Sequence, residues 1–324
     1  MKTTVVIPNY NGIKYLEDCL DSICFNNKET PVIVVDNGSN DESVSFIKEK
    51  YPKVLLLELN ENTGFANAVN VGIREAKTPY VFLLNNDTKI FPDTINALES
   101  AMEELKGEGK TVFSVQACMI QMREPQKLDG AGDYYCALGW GYSRGKGKKT
   151  DKYSKCDRIF SSCAGAALYD REAALAMGLF DELHFAYLED LDLGYRANLA
   201  GYANYFAPKA RVLHAGSASS GSRYNKFKVD LSSRNSIYLI RKNMPFFQRL
   251  INIPFFITGF GIKTLFFIMK GMGGVYLKGL LKGFRLSLSK EGRAHKVIFH
   301  GKNLTNYLYV QGCLWVNIFR RIWM

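Results

Sequence analysis

Tyr80-Val81-Phe82-Leu83-Leu84-Asn85-Asn86-Asp87-Thr88 is the stretch whose reading decides the fold. Large apolar residues run together after Pro79 and stop abruptly at polar ones. That pattern belongs to a strand buried on both faces. Open α/β sheets gather ligands just beyond the carboxyl ends of such strands, and Asp87 stands there. Taken alone, the aspartate reads as an Asx-turn capping its own backbone. Positions 36, 190 and 214 change that reading.

Upstream, residues 3–7 form a β-branched run closed by the turn signal Pro8-Asn9-Tyr10-Asn11-Gly12. Leu16, Leu20 and Ile23 follow at helical spacing. Residues 31–35 give a second strand ending in Asp36-Asn37-Gly38-Ser39-Asn40-Asp41, 43–50 a helix and 54–57 a third strand. After Asn62-Thr63-Gly64-Phe65, a helix carries Thr63, Asn67, Asn70 and Arg74 on one face and Ala66, Val69 and Ile73 on the other. Alternating strands and helices predict right-handed βαβ units and a mostly parallel sheet, so the class is α/β. Strand ends offering Asn and Asp around one crevice are the layout of a nucleotide site. No GxGxxG follows the first strand and no GxxxxGK[ST] occurs anywhere. Both the dinucleotide-oxidoreductase and the P-loop versions are thereby disfavoured, and phosphate would have to be held through a metal.

Residues 121–162 are rich in Gly, Tyr and Lys with little periodicity. Gly139-Trp140-Gly141 and Gly145-Lys146-Gly147-Lys148-Lys149 read as loops, either plain surface or an active-site lid. Cys163-Ala164-Gly165-Ala166-Ala167-Leu168 is small enough to admit a ligand or a neighbouring helix, and a helix is expected over 171–177. In Glu189-Asp190-Leu191-Asp192, three acids near a helix start suit the positive end of its dipole. Asp192 has Arg196 as an i,i+4 partner, whereas Asp190 has Gly194 there and no local cation. A carboxylate without a structural partner is the stronger candidate for chemistry. His214 ends a short strand; His184, His295 and His300 read as structural.

The formal net charge of +11 is unevenly spread. Residues 241–324 hold 14 Lys/Arg against one acid, Glu291, while the first 240 hold 28 basic and 30 acidic residues. Seven cysteines with no CxxC pair argue against a disulfide framework and for a reducing cytosol. The chain opens straight into a strand-like run, so no signal peptide is expected. Residues 250–269 are apolar over the ~20 residues a spanning helix needs, but Asn252, Pro254, Gly259, Gly261 and Lys263 interrupt them. At ~100° per residue, Arg249, Lys263, Lys270, Lys278, Lys282 and Arg285 fall within an arc of roughly 120°. Helices lying in a membrane interface show that pattern, with cations towards anionic headgroups. A break at Gly271, Gly273 and Gly274 would leave two shorter interfacial helices. The competing reading packs this surface on the globular body or on a second copy, as a homodimer. Its density of Phe, Leu and Ile directs it away from nucleic acid. Truncation after about Asn243 is expected to leave a soluble domain.

Together these stretches resemble the inverting glycosyltransferases of family 2, which have the GT-A fold. Val6-Ile7-Pro8-Asn9-Tyr10-Asn11-Gly12, Val34-Val35-Asp36-Asn37-Gly38-Ser39, Asn62-Thr63-Gly64-Phe65, Leu84-Asn85-Asn86-Asp87, Glu189-Asp190-Leu191-Asp192 and His214 occur in that family's order. The look-alikes are bacterial rhamnosyltransferases and galactofuranosyltransferases of cell-surface polysaccharide assembly. This chain departs from most rhamnosyltransferase-like members at Asn86, where they have proline.

The resemblance implies roles. Asp36 would hydrogen-bond the donor's pyrimidine, with Pro8, Asn9, Tyr10 and Asn11 around base and ribose. Gly64, Phe65, Asn67 and Asn86 would complete the donor side. Asp87 would bind a divalent metal bridging the donor phosphates, with His214 as second ligand or phosphate contact. Asp190 would be the general base, and Glu189, Trp140 and Gly165 would seat the acceptor. Mg²⁺ and Mn²⁺ both suit oxygen ligands, and the imidazole tilts the choice towards Mn²⁺. A single base opposite the leaving group implies one displacement and inversion. The implied layout is a catalytic domain over 1–243, its donor half about 1–118 and its acceptor half about 119–243, with a membrane-associating tail over 244–324. The implied activity moves a sugar from a nucleoside-diphosphate donor, dTDP-rhamnose ahead of UDP-hexose, to a lipid-linked glycan. The protein would sit peripherally on the cytoplasmic face of the membrane. A nucleotidyltransferase of similar fold is the first rival, but the turn after the first strand lacks that class's Gly- and Lys-rich loop. A non-catalytic glycan-binding homologue is the second, and it would not need Asp87, Asp190 and His214 intact.

Overall fold

The computed structural model describes residues 2–216 and 224–323. The chain alternates β1 (Thr3–Asn9), α1 (Ile13–Cys24), β2 (Val32–Asp36), α2 (Ser43–Lys50), β3 (Leu55–Glu58), α3 (Phe65–Glu75) and β4 (Tyr80–Leu84). Then come β5 (Thr88–Ile90), α4 (Thr94–Gly107), β6 (Val112–Gln121), β7 (Leu128–Gly130), β8 (Asp133–Cys136), β9 (Trp140–Ser143), β10 (Arg158–Ile159) and β11 (Ala166–Asp170). They are followed by α5 (Arg171–Ala176), α6 (Glu189–Leu199) and β12 (Ala203–His214). The remainder is helical: α7 (Lys226–Asn243), α8 (Phe246–Met269), α9 (Gly273–Leu288), α10 (Lys290–Ala294) and α11 (Leu304–Trp323).

One large sheet runs β10-β12-β6-β11-β4-β1-β2-β3, with β5 added to β12 and β7 to β6. Every residue of β4 is buried, as its uninterrupted apolar run requires. The strands β4, β1, β2 and β3 are mutually parallel. The sheet as a whole is mixed, because β11 enters between β4 and β6 antiparallel to both. No crossover helix precedes β11, so nothing obliges it to run parallel. This insertion matters for the site: the start of β11 lies against the end of β4, with Ala166 opposite Leu84. One face of the sheet packs on α1 and α4, the other on α3 and α6.

Residues 121–162 are more ordered than their composition predicts. β7 pairs with β6, and β8 and β9 form a hairpin with Tyr134 opposite Tyr142 and Cys136 opposite Trp140. The expected divide at 118/119 falls inside the single strand β6.

The tail is fused to the body rather than appended. Tyr307, Val310 and Leu314 of α11 share one core cluster with Tyr135, Phe160, Leu191 and Tyr195. Cutting after Asn243 would uncover that cluster. The helix does break at the glycines: α8 ends at Met269, Gly271 takes φ +68°, and α9 starts at Gly273. α9 then folds back on α7, with no room for a side chain at Gly279 or Gly283. α8 is long and apolar enough to cross a membrane, with a mean hydropathy of 1.6 over its best window. Its outer face leaves Phe247, Ile257, Leu265 and Met269 exposed. Lys263 does not join the outward cations, for its ammonium lies over the Trp140 ring at 5.4 Å.

Candidate active site

A cavity of about 720 Å³ opens at the carboxyl ends of β1 and β4 and is closed by the start of α6 and the β8–β9 hairpin. Pro8, Asn9, Tyr10, Phe65, Asn86, Asp87, Gly165, Glu189, Asp190 and His214 all line it. Residues up to 206 positions apart in sequence thus meet in one space, as the β4 reading requires.

Other expected residues stand outside the lining. Asp36 is buried one layer behind, accepting hydrogen bonds from Asn9 Nδ2 at 2.9 Å and Ser39 N at 2.9 Å. It therefore orients Asn9, which does face the cavity. Asn11 receives the Asn40 N–H instead. Gly64, at φ +90°, holds the entry to α3 against the Phe185 carbonyl, where a side chain would collide at 2.6 Å. Asn67 donates to Thr63 Oγ1, and Asn70 on the same helix face is buried against Phe180. That polar face meets a neighbouring loop rather than a ligand. Trp140 also turns away: its Nε1–H donates to the Gly259 carbonyl of α8.

The metal-type pair is well formed. His214 Nε2 lies 3.2 Å from Asp87 Oδ1, and His214 Nδ1 lies 2.8 Å from Asp129 Oδ2. Burial alone would lower the imidazole's pKa, but its hydrogen bonds to Asp129 and Asp87 lift it to about 9. Asp129 is likewise held down to about 2: burial opposes the shift, and contacts with His214 and Lys146 overcome it. The arrangement fits a divalent ion. Two ligand atoms each ~2.1 Å from one ion at a right angle lie ~3 Å apart, close to the separation observed. Asp129 is the carboxylate behind the histidine that such ligands usually carry. Replacing the Nε2 proton by a metal would leave the Nδ1–H to Asp129 intact.

Across the cavity, Asp190 is flanked by two further carboxyls. Polar atoms of Asp133, Cys163 and Asp190 all lie within 4.8 Å of one another. Burial and the Asp190 charge push Asp133 up to about 8, and burial with the same charge holds Glu189 well above its ordinary value. Asp190 is also raised by burial, but the backbone N–H groups of Leu191 and Ala164 counter this. Hydrogen bonds to the charged form favour ionisation at Asp190, while burial and the Asp190 charge push Asp133 and Glu189 towards their protonated forms. Burial and nearby acids hold the Cys163 thiol well above its ordinary value, so this trio is a poor cation site.

The segment before α6 is strained. Phe185, Tyr187 and Leu188 have φ of +62°, +69° and +69°, unfavourable for side chains of that size. Asn235 Nδ2 of α7 reaches the carbonyls of His184, Ala186 and Tyr187 at 2.7–2.9 Å and holds them there. Behind the same helix, Asp192 pairs with Arg196 as its spacing predicts, and also with Lys242 at 2.8 Å and Asn243 at 2.7 Å. Asp181, His184 and Asp192 cluster like metal ligands, but the Lys242 ammonium already fills the place of the ion. Sequence reasoning missed Asp129, Asp133 and Lys146, all of which line the cavity. They stand among many other charged residues of an aperiodic segment, so nothing local set them apart.

Residues 4–177 match Glycosyl transferase family 2, and the chain belongs to that family. It is therefore a glycosyltransferase by class. It is 28% identical over 237 residues to the N-acetylglucosaminyl-diphospho-decaprenol L-rhamnosyltransferase of Mycobacterium tuberculosis, covering 67% of this chain and 77% of that protein. Among solved structures, Staphylococcus aureus TarS 1–349 with UDP-GlcNAc superposes with a TM-score of 0.58 at 17% identity, over 91% of this chain and 84% of that one. The Pyrobaculum calidifontis mannosyltransferase PcManGT with GDP-Man and Mn²⁺ gives 0.51 at 18% identity, over 97% and 84%. These likenesses establish the fold as that of GT-A glycosyltransferases.

Proposed function

We propose that this protein is a metal-dependent inverting glycosyltransferase. It moves a sugar from a nucleoside-diphosphate donor, dTDP-rhamnose ahead of UDP-hexose, to a lipid-linked glycan of bacterial cell-surface polysaccharide. The observation that carries the reading is that Asp87 with His214, and Asp190 with its protonated neighbours, line one cavity. Asp87 and His214 would hold Mn²⁺ or Mg²⁺, which neutralises the departing diphosphate as a Lewis acid. Pro8, Asn9, Tyr10 and Phe65 form the wall where the nucleoside would lie, and Asp36 fixes Asn9 from behind. Asp190 takes the proton of the attacking hydroxyl, a step worth ~10²–10⁴-fold. Glu189 and Asp133, kept neutral, can donate hydrogen bonds to acceptor hydroxyls without competing as bases. A single base opposite the leaving group implies one displacement with inversion.

The rhamnosyltransferase relative supports rhamnose as the transferred sugar and a prenyl-linked acceptor, since its name states both. The Mn²⁺ and nucleotide sugar in the PcManGT structure support a divalent ion. The exposed apolar face of α8, beside the basic tail, supports peripheral docking on the anionic cytoplasmic face of the membrane. The test is a panel of dTDP-, UDP- and GDP-sugars with a prenyl-diphosphate-linked sugar acceptor. Release of nucleoside diphosphate with an inverted glycosidic product is the expected result; release of pyrophosphate, or no turnover with any pair, would overturn it. The full chain should pellet with anionic vesicles and be partly released by salt. A chain that ignores vesicles and dimerises through residues 245–290 would overturn the docking.

A further inference from the structure

The β8–β9 hairpin separates two environments. Tyr142 lines the cavity, and at Gly141 a side chain would collide with Leu191, the residue after Asp190. Tyr134, Cys136, Trp140 and Tyr142 are paired directly across the hairpin, so they share one face. Three cations from the tail gather on these rings. Lys263 of α8 lies 5.4 Å from the Trp140 centroid, Arg320 of α11 lies 4.9 Å from Tyr134, and Arg321 lies 5.6 Å from Tyr142.

No ion pair to any of the three occurs among the described residues, and the whole tail holds a single acid, Glu291. Burial, with the Arg321 charge adding to it, draws the Lys263 ammonium down to about 8. An ammonium withdrawn from water without a counter-ion is costly, whereas Arg320 and Arg321 stand exposed. Tight packing nevertheless keeps Lys263 there: at Gly259, one turn before it, a side chain would strike the Leu138 carbonyl at 2.2 Å. Beyond the cations the surface turns apolar, with Ile262 of α8 and Phe319, Ile322 and Trp323 of α11 standing 50–86% exposed. From the cavity outward the order is carboxylate base, aromatic wall, cations, apolar helix face.

We propose that Lys263, Arg320 and Arg321 form a diphosphate subsite for a prenyl-diphosphate-linked acceptor. The prenyl chain lies on the α8–α11 face, the diphosphate on the cations, and the sugar reaches past Tyr142 towards Asp190. The proposal rests on the transferase reading above for what the sugar does, but not for the binding itself. It gives the aromatic wall a role that Trp140 was expected to fill by touching the acceptor sugar.

The probe is farnesyl diphosphate, titrated against the full chain in zwitterionic micelles with chelator present, so that no ion-held diphosphate competes. Farnesol and inorganic diphosphate are the controls for tail and head. Arg320→Gln/Arg321→Gln changes only exposed side chains, and Lys263→Met keeps the buried stem. Lys278→Gln/Arg285→Gln removes equal charge elsewhere on the tail. Affinity for farnesyl diphosphate should fall roughly tenfold or more for each subsite cation removed, the scale of a hydrogen bond to a charged group. The charge-matched control should bind like wild type. In turnover, the subsite variants should raise KM for the lipid-linked acceptor and leave kcat and donor KM unchanged. Equal loss in the charge-matched control, or wild-type binding of inorganic diphosphate as tight as of farnesyl diphosphate, would overturn the subsite. So would subsite variants that lose only anionic-vesicle binding, since the cations would then serve phospholipid headgroups. Specific binding of the probe without turnover on any donor would keep the subsite and sink the transferase reading instead.

Discussion

Replacing Lys242 with methionine tests how α7 holds the catalytic helix. The ammonium lies 2.6 Å from Asp181 Oδ2 and 2.8 Å from Asp192 Oδ2, and all three side chains are closed to water. Methionine keeps the apolar stem and removes the charge, leaving two buried carboxylates without their shared cation. Deleting one partner of a buried pair costs ~3–5 kcal/mol. A second scale agrees. Asp181 is held at about 2 against an ordinary 3.8, with burial opposing and Lys242 the largest favourable cause. At ~1.4 kcal/mol per pKa unit that difference is on the order of 2 kcal/mol for Asp181 alone. Asp192, held well below its ordinary value by Lys242 and Arg196 against burial, adds to it. Depressed carboxylates contribute stability that is complete above their unfolded value and lost as pH falls through the folded one. The variant should therefore be ~3–5 kcal/mol less stable at pH 7, and the Asp181 share of the gap should narrow by ~half at pH 3. Urea unfolding of the full chain in mild detergent, followed by tryptophan fluorescence at pH 7, 5 and 3, reads both quantities. Adding Asp181→Asn to Lys242→Met should recover part of the loss by removing an orphaned charge. A loss below ~1 kcal/mol at pH 7, the level of an exposed pair, or a gap as wide at pH 3, would refute the buried-cation argument.

Asp190→Asn should lower kcat by ~10²–10⁴-fold while donor binding stays as in wild type; wild-type turnover would remove Asp190 from the base role. In the wild type, the acid limb of kcat should lie above the ordinary carboxylate range, because burial raises Asp190, and a limb at or below ~3.9 would contradict it. Chelation should abolish transfer, with Mn²⁺ restoring it at least as well as Mg²⁺, and Asp87→Ala should lose metal-dependent donor binding by calorimetry; full activity in chelator would end the metal assignment. Truncation after Asn243 should give an aggregating protein, since it uncovers Tyr135 and Tyr195, and a soluble monomer that binds donor would show the tail to be separable.

What could be read in advance follows from how local each signal was. The β4 run, the turn after β1 and the α6 acids are contiguous, so strand, turn and helix N-terminus carry their meaning in a few residues. Asp190 was singled out because Gly194 sits where a cation would be, and in the structure burial raises it while the backbone N–H groups of Leu191 and Ala164 and the nearby His184 act against that. Asp129 and Asp133 were illegible because their roles depend on β7 pairing with β6 and β8 with β9, within a segment lacking periodicity. Asp36 was identified as a donor contact, but the close packing of Asn9 against it puts a second side chain in between. Trp140 went astray for a related reason. An aromatic in a Gly-rich turn suggests a ligand platform, yet the approach of Gly259 made α8 its partner.

The helix α6 explains why the tail and the site cannot be treated apart. Its first turn points Glu189 and Asp190 into the cavity, while Asp192, two residues later, points back to Lys242 and Asn243 of α7. The loop before it is held in an unfavourable backbone conformation by Asn235, also of α7, which satisfies three of its carbonyls, with Arg234 beside it donating to those of Leu183 and His184. α7 in turn is covered by α9, and α6 by α11, both of which follow the apolar α8 in the chain. A surface that seats α8, α9 and α11 thus bears on the same packing that fixes Asp190. Docking would then act on catalysis through rigidity as well as through proximity to a lipid-linked acceptor. The two effects separate experimentally, since proximity alters KM for lipid acceptors only, whereas rigidity alters kcat for soluble ones as well.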